Sequence, residues 1–96
     1  MSAAFSFRLF LAGDTPNSTQ ALANLTALCR ERLPECHTIE IVDVLAQPER
    51  ALEEGVFLTP MVIKMSPGPH TRIVGTLSNA RAVAQALGLG LALGPT

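Results

Sequence analysis

The chain has 96 residues, of which 48% are hydrophobic, and it contains four Phe but no Trp or Tyr. We expect residues 1–96 to form a single domain with one modest, mainly aliphatic core. Seven basic and eight acidic residues give a formal net charge of −1, which argues against a sequence-independent grip on nucleic acid or an anionic membrane. With no leader-like start and no apolar run of membrane-spanning length, the chain is expected to be cytoplasmic.

The first predicted element is a strand over residues 5–12. Its apolar side chains fall on both faces: Phe5, Phe7 and Leu9 lie on one face and Phe10 and Ala12 on the other. A strand that is apolar on both faces is typical of the centre of a sheet.

A helix is predicted to begin after Thr15 and to end near Leu33, before Pro34. Thr15 is a suitable N-cap, and Pro16 suits the first helical position because the missing amide hydrogen has no partner there. Apolar residues recur at three- and four-residue steps, which predicts one stripe packed on a sheet. The stripe consists of Ala21, Leu22, Leu25, Leu28, Cys29 and Leu33.

Five further elements are predicted after this helix. They are a strand over residues 38–45, a short helix over 49–54, strands over 61–65 and 71–75, and a helix over 78–87. Gly55 ends the short helix, a turn at 66–69 makes the two strands an antiparallel hairpin, and Ser78 is the expected N-cap of the last helix. Asp43, near the end of its strand, is expected to face solvent, with a buried carboxylate as the alternative.

The order βαβαββα resembles the thioredoxin-like fold, an α/β architecture. Residues 15–18 then stand where a thioredoxin carries its redox cysteines, and Thr and Ser cannot form a comparable nucleophile. In this fold a cis-proline precedes the third strand, so we expect a cis peptide bond between Thr59 and Pro60. Because residues 15–18 contain no cysteine, we expect the chain to act by binding and not by redox chemistry.

The two cysteines, Cys29 and Cys36, have a spacing typical of neither a redox dithiol nor a zinc knuckle. We expect both to be reduced thiols, since cytosolic cysteines usually are. A metal site built from Cys29, Cys36 and His37 would need a fourth ligand that the sequence does not offer, so no metal or other cofactor is expected.

Several segments together carry a resemblance to the KaiB circadian-clock family. They are LAGDTPNS at 11–18, IVDVL at 41–45, Pro48 with the acidic pair at 53–54, LTP at 58–60 and IVGTLS at 73–78. Members of that family show V-A-G-N-T-P-N-S, I-D-V-L, T-P and I-G-D-L-S at similar spacings. The resemblance covers about residues 5–90. Its structural motif comprises Gly13, Thr15, Pro16, Asn17, Ser18, Thr59, Pro60 and Gly75.

The resemblance implies a non-enzymatic regulator that binds a KaiC-like ring ATPase and modulates its phosphorylation cycle. It also implies KaiA-like or histidine-kinase partners. By the family pattern the partner-binding residues are Val44, Leu45, Ala46, Gln47, Glu53, Glu54, Lys64 and Arg72.

Several alternatives for the function and for the folded form are compatible with these residues. Ala46 and Gly55 replace lysines of cyanobacterial members, and Thr76 replaces an Asp, so a paralogue serving another KaiC homologue is an alternative to an oscillator component. A stand-alone sensor domain like that of the SasA kinase and a thioredoxin-like redox protein are further alternatives. The family also implies metamorphism, with a tetrameric ground state whose C-terminal half is rearranged. The helix formers at 78–87 favour the thioredoxin-like form.

Overall fold

A computed structural model describes residues 4–89 as a four-stranded sheet with helices on both faces. The predicted order of elements is confirmed. The elements are β1 (Phe5–Leu11), α1 (Pro16–Arg32), β2 (His37–Asp43), α2 (Pro48–Glu54), β3 (Met61–Ser66), β4 (Thr71–Val74) and α3 (Ala80–Leu87).

The strands lie in the order β2-β1-β3-β4, so that β1 is central as its apolar faces predicted. β1 runs parallel to β2 and antiparallel to β3, and β3 pairs antiparallel with β4. The ends of β1, β2 and β4 and the start of β3 therefore meet along one side of the sheet. We call this side the loop edge; it comprises the connections at 12–15, 44–47, 57–60 and 75–79.

The larger part of the core lies between the sheet and the two longer helices. Phe7 and Leu9 of β1 are buried there against Leu25 of α1 and Leu87 of α3. The stripe predicted for α1 is confirmed: its members are buried or packed against this cluster. Burying such a side chain stabilises the fold by roughly 1.5–3 kcal/mol.

The opposite face of the sheet is covered by α2. Phe10, Val42 and Ile63 pack there against Ala51 of α2 and Val56, which follows it. Gly55 ends α2 in the left-handed conformation at φ +68°, as its sequence predicted. Since α2 buries only one side chain within its own length, its attachment depends on polar contacts as well.

The first helix begins as expected. The Thr15 side chain accepts a hydrogen bond from the amide of Ser18 at 3.2 Å, and Pro16 is the first helical residue. The buried Ser18 hydroxyl in turn accepts from the amide of Ala12 at 3.2 Å, which ties the loop after β1 to the helix start. The Thr59–Pro60 bond is cis, as predicted.

Three local predictions are corrected by the structure. The N-cap of α3 is Asn79, whose side chain accepts from the amide of Ala82 at 3.1 Å; Ser78 instead pairs with the Thr76 hydroxyl at 2.7 Å. β2 ends at Asp43, so residues 44–45 belong to a loop. Asp43 is half-buried, and its carboxylate accepts hydrogen bonds from the backbone amides of Gly13 and Leu45.

Candidate partner-binding surface

Large apolar side chains are exposed at and beside the loop edge. Leu45 is 71% exposed, Phe57 81% and Leu58 63%, all within the loop edge, while Leu52 on α2 is 71% exposed. We call these four residues the apolar surface. Single exposed apolar residues are common in proteins, but several on neighbouring segments indicate an interaction site.

Leu45 is held in place by Asp43. One carboxylate oxygen, Oδ1, accepts from the Leu45 amide at 2.9 Å and from the Gly13 amide at 3.1 Å. The Leu45 side chain lies against Gly13, where an added Cβ would stand 3.1 Å from Leu45 Cδ1. Gly13 also has φ +69°, a conformation that a side chain would strain. The loops after β1 and β2 are thus joined beneath an exposed leucine.

Phe57 and Leu58 are displayed by a short connection that is anchored on both sides. Val56 before them is buried in the core under α2, and Pro60 after them is also buried. The carbonyl of Pro60 accepts a hydrogen bond from the amide of Gly75 at 2.9 Å, which ties this connection to the end of β4. Two exposed apolar side chains are therefore fixed between two buried residues.

The thiols lie away from this surface. Cys29 is fully buried among core residues in the second half of α1, and burial raises the pKa of its thiol to about 11. Cys36 is half-buried in the loop before β2, at the other side of the sheet. At the helix start, Thr15 and Ser18 bond to each other through their hydroxyl oxygens at 2.9 Å. The loop edge accordingly offers apolar contact and hydroxyl groups rather than a thiolate.

The sequence-predicted contact residues differ in their exposure. Leu45 belongs to the apolar surface, and Ala46 and Glu53 are exposed directly after Leu45 and Leu52 in the chain. Val44 packs against the core under α2. The side chain of Gln47 accepts from Arg50 at 3.3 Å, and Glu54 binds Arg8 at 2.7 Å. The Glu54 contact attaches α2 to β1, whereas the Gln47 contact lies within the first turn of α2.

The cations Lys64 and Arg72 are engaged within the chain. Lys64 Nζ donates to the carbonyl of Leu87 at 3.2 Å, at the end of α3, and lies 5.8 Å from the centre of the Phe5 ring. The guanidinium of Arg72 donates to the carbonyls of Glu54 and Gly55, at the end of α2. Each cation thus sits where the helix dipole favours positive charge.

Three residues of the apolar surface were missed by the sequence analysis: Leu52, Phe57 and Leu58. A signal for the last two was present, since an apolar pair directly before Thr59-Pro60 has no strand of its own to join. Leu52 offered a weaker signal, because a short helix with adjacent Ala51 and Leu52 does not reveal which of them faces the sheet.

The described residues 4–89 contain no group of three His, Cys, Asp or Glu side chains placed to hold a metal ion. Over the same residues, no helix has the length and apolar character needed to cross a membrane.

Comparison with known proteins identifies the family. Residues 8–89 match the KaiB domain. The circadian clock protein KaiB3 of Synechocystis sp. is 45% identical over 76 residues, which are 79% of this chain and 74% of that protein. The circadian clock oscillator protein KaiB of Thermostichus vulcanus is 35% identical over 79 residues, covering 82% and 73% of the two chains.

Solved structures confirm the thioredoxin-like fold. The N-terminal domain of Synechococcus elongatus SasA superposes with a TM-score of 0.74 at 18% identity, covering 100% of this chain and 92% of that one. Thioredoxin of Fasciola hepatica gives a TM-score of 0.70 at 20% identity, covering 91% and 81%. The domain match and the sequence relatives lead to one conclusion: the chain belongs to the KaiB family of circadian clock proteins.

Proposed function

We propose that this chain is a non-enzymatic, cytoplasmic regulator that binds a KaiC-type ring ATPase and modulates its phosphorylation cycle. Family membership supports a clock-related role. The observation that carries the binding role is the apolar surface formed by Leu45, Leu52, Phe57 and Leu58.

The apolar surface is large enough to anchor a complex but not to account for one alone. Burying a Leu or Phe side chain contributes roughly 1.5–3 kcal/mol, so the four residues together supply on the order of 10 kcal/mol. Association itself costs about 4–15 kcal/mol in lost freedom of motion. Further contacts must contribute, and we assign them to Val44, Ala46, Gln47, Glu53 and Glu54.

Lys64 and Arg72 complete the proposed set of partner-binding residues, and we assign them an indirect role in which they hold helix ends in place. Because Arg72 binds the last carbonyls of α2, it fixes the helix that carries Leu52 and the segment that carries Phe57. Lys64 binds the carbonyl of Leu87 and so fixes the end of α3. We further propose that KaiA-like or histidine-kinase partners engage the complex, and that the chain has a tetrameric alternative state with a rearranged C-terminal half.

The test is a calorimetric titration of the full chain against the KaiC-type hexamer of the same organism, in ATP and in ADP. Phe57→Ser with Leu58→Ser should weaken binding at least about tenfold, because two apolar anchors are lost. Both side chains are exposed, so folding should be unaffected.

Ile41→Ser is the control, since Ile41 is also a half-exposed apolar residue but lies within edge strand β2. Its affinity should stay within about twofold of the native value. Failure of the native chain to bind, or equal losses in both variants, would contradict the proposal.

A further inference from the structure

The charges around the apolar surface identify the chemistry of its partner. We propose that the partner is a protein surface whose apolar centre is surrounded by Lys and Arg side chains. This inference rests on the proposed function, because it concerns the same surface, but it can fail separately.

Acidic side chains border the apolar surface on two sides. Glu49 and Glu53 are exposed on α2, three residues before and one residue after Leu52. Residues three apart on a helix are neighbours on its surface, so Glu49 and Leu52 lie side by side. Asp14 is exposed in the turn next to Gly13, against which the Leu45 side chain lies. We call Asp14, Glu49 and Glu53 the acidic rim.

The basic residues on the α2 side of the sheet are used within the chain. Arg50 donates to Glu40 at 2.9 Å, and Arg8 binds both Glu40 at 2.8 Å and Glu54 at 2.7 Å. Arg72 donates to carbonyls at the end of α2.

These contacts still leave more carboxylates than cations on the α2 side. Arg8 and Arg50 bind Glu40 and Glu54, and Arg50 also interacts through its charge with Glu53. Arg72 keeps its positive charge at the end of α2, because its partners there are carbonyls. Among the described residues, Arg81 is an exposed cation near the loop edge, but it lies in the first turn of α3, on the other face of the sheet. On the α2 side, four glutamates therefore outnumber three arginines, and Asp14 adds a further negative charge near Leu45; the glutamates are Glu40, Glu49, Glu53 and Glu54, and the arginines are Arg8, Arg50 and Arg72.

A charged rim around an apolar centre selects partners by charge. The centre supplies affinity once it is desolvated, while the rim controls the rate of encounter and opposes partners of like charge. An acidic protein surface would meet repulsion from Glu49 and Glu53 here, whereas a basic one would be attracted.

The first experiment compares two variants with the same change in net charge. Glu49→Gln with Glu53→Gln removes the rim charge on α2. Glu31→Gln with Glu35→Gln removes two exposed charges, one near the end of α1 and one in the loop after it; we call this pair the α1 variant. Association with the KaiC-type hexamer is followed by stopped flow at low ionic strength and in 1 M NaCl. We expect the α2 variant to associate about tenfold more slowly at low ionic strength only. The α1 variant should match the native chain.

The second experiment needs no natural partner. Two synthetic peptides with the same apolar residues, one flanked by Lys and the other by Glu, are titrated into the full chain and followed by NMR. The Lys peptide should shift the signals of Leu45, Leu52, Phe57 and Leu58, with at least a tenfold affinity advantage over the Glu peptide. Glu49→Lys with Glu53→Lys should invert that preference.

The outcomes separate the two proposals. If the hexamer binds but the α2 variant associates as fast as the native chain, the charge inference is overturned and the proposed function stands. If the hexamer does not bind and the Lys peptide is preferred, the proposed function is overturned and the charge inference stands. Preference for the Glu peptide, or none, overturns the charge inference in either case.

Discussion

At the scale of single residues, Cys29 shows how burial suppresses the reactivity of a thiol. It is fully buried, and the apolar surroundings raise the pKa of its thiol to about 11 because they disfavour the thiolate. We expect alkylation by iodoacetamide at pH 7.5 to be on the order of 100-fold slower than for glutathione.

Mass spectrometry of the Cys36→Ala variant isolates this reaction at Cys29. The rate should rise to the glutathione value in 8 M urea, which is the internal control. Fast labelling under native conditions would mean that Cys29 is accessible and would reopen the redox alternative.

Arg72 is a second residue whose role depends on its contacts within the chain. Its guanidinium binds two carbonyls at the end of α2, so Arg72→Met should destabilise the fold by about 1 kcal/mol. Arg72→Lys keeps the charge but loses the forked geometry, and should recover only part of the loss.

Urea unfolding measures both Arg72 variants, and an unchanged midpoint for Arg72→Met would disprove the anchoring role. For the same reason, reversing Lys64 and Arg72 to Glu would not test partner binding alone. Both substitutions would also disturb the ends of α2 and α3.

At the scale of elements, α3 allows a clean test of helix propensity. Ala82 and Ala86 are exposed, whereas Ala84 is fully buried. Ala82→Gly with Ala86→Gly should therefore cost roughly 2 kcal/mol through propensity alone. Ala84→Gly would add the loss of a buried methyl group. Chemical denaturation measures the cost, and a change below about 0.5 kcal/mol for the exposed pair would show that α3 contributes little to stability.

The attachment of α2 should depend on pH through Glu40. Hydrogen bonds from Arg50 and Arg8 hold the pKa of this carboxyl below its usual value of 4.5. A lowered pKa in the folded state stabilises the fold above the unfolded pKa, and that contribution is lost as the pH falls through the folded pKa. Because Glu40 is largely exposed, we expect no more than about 1 kcal/mol.

The matching variant is Glu40→Gln. It should be less stable than the native chain at pH 7, and the two free energies of unfolding should converge below pH 4.5 as Glu40 becomes protonated. Glu31→Gln, an exposed change on α1, provides the control and should show no such convergence. If the difference in the free energy of unfolding between the Glu40→Gln and native chains stayed constant from pH 7 to pH 3, the charge interactions of Glu40 with Arg50 and Arg8 could not be its cause.

At the scale of the whole molecule, the fold was largely predictable because its signals are local. Thr15 with Pro16, the stripe on α1 and Gly55 each act within a few residues, and each places one helix end or face. The prediction of the N-cap of α3 was wrong because two neighbouring residues could cap the helix equally well. Ser78 and Asn79 are both good N-caps, and the bond between Thr76 and Ser78 leaves Asn79 to cap α3.

The candidate site was less predictable because its contacts span the chain. Arg72 meets carbonyls of α2 that lie 17 and 18 residues earlier, and Lys64 meets one 23 residues later. Sequence alone shows that Lys64 and Arg72 are two of seven cationic residues, and it cannot show that both are engaged within the chain. The exposure of Phe57 likewise depends on the two buried residues that flank its segment, Val56 and Pro60.

The stability of α3 bears on which arrangement the molecule adopts in solution. The caps on α3 and its exposed alanines favour the described fold. The proposed tetrameric state would rearrange this half of the chain. We expect sedimentation to give a species near 10.2 kDa, and NMR to give helical shifts over residues 80–87.

If the two packings differ by only a few kcal/mol, Ala82→Gly with Ala86→Gly should raise the tetramer fraction measurably. Ala23→Gly with Ala27→Gly, at exposed positions on α1, controls for loss of stability outside the rearranged half. A native tetramer without helical shifts at 80–87 would show that the other arrangement is the ground state, because the tetramer would then be the more stable packing of this sequence.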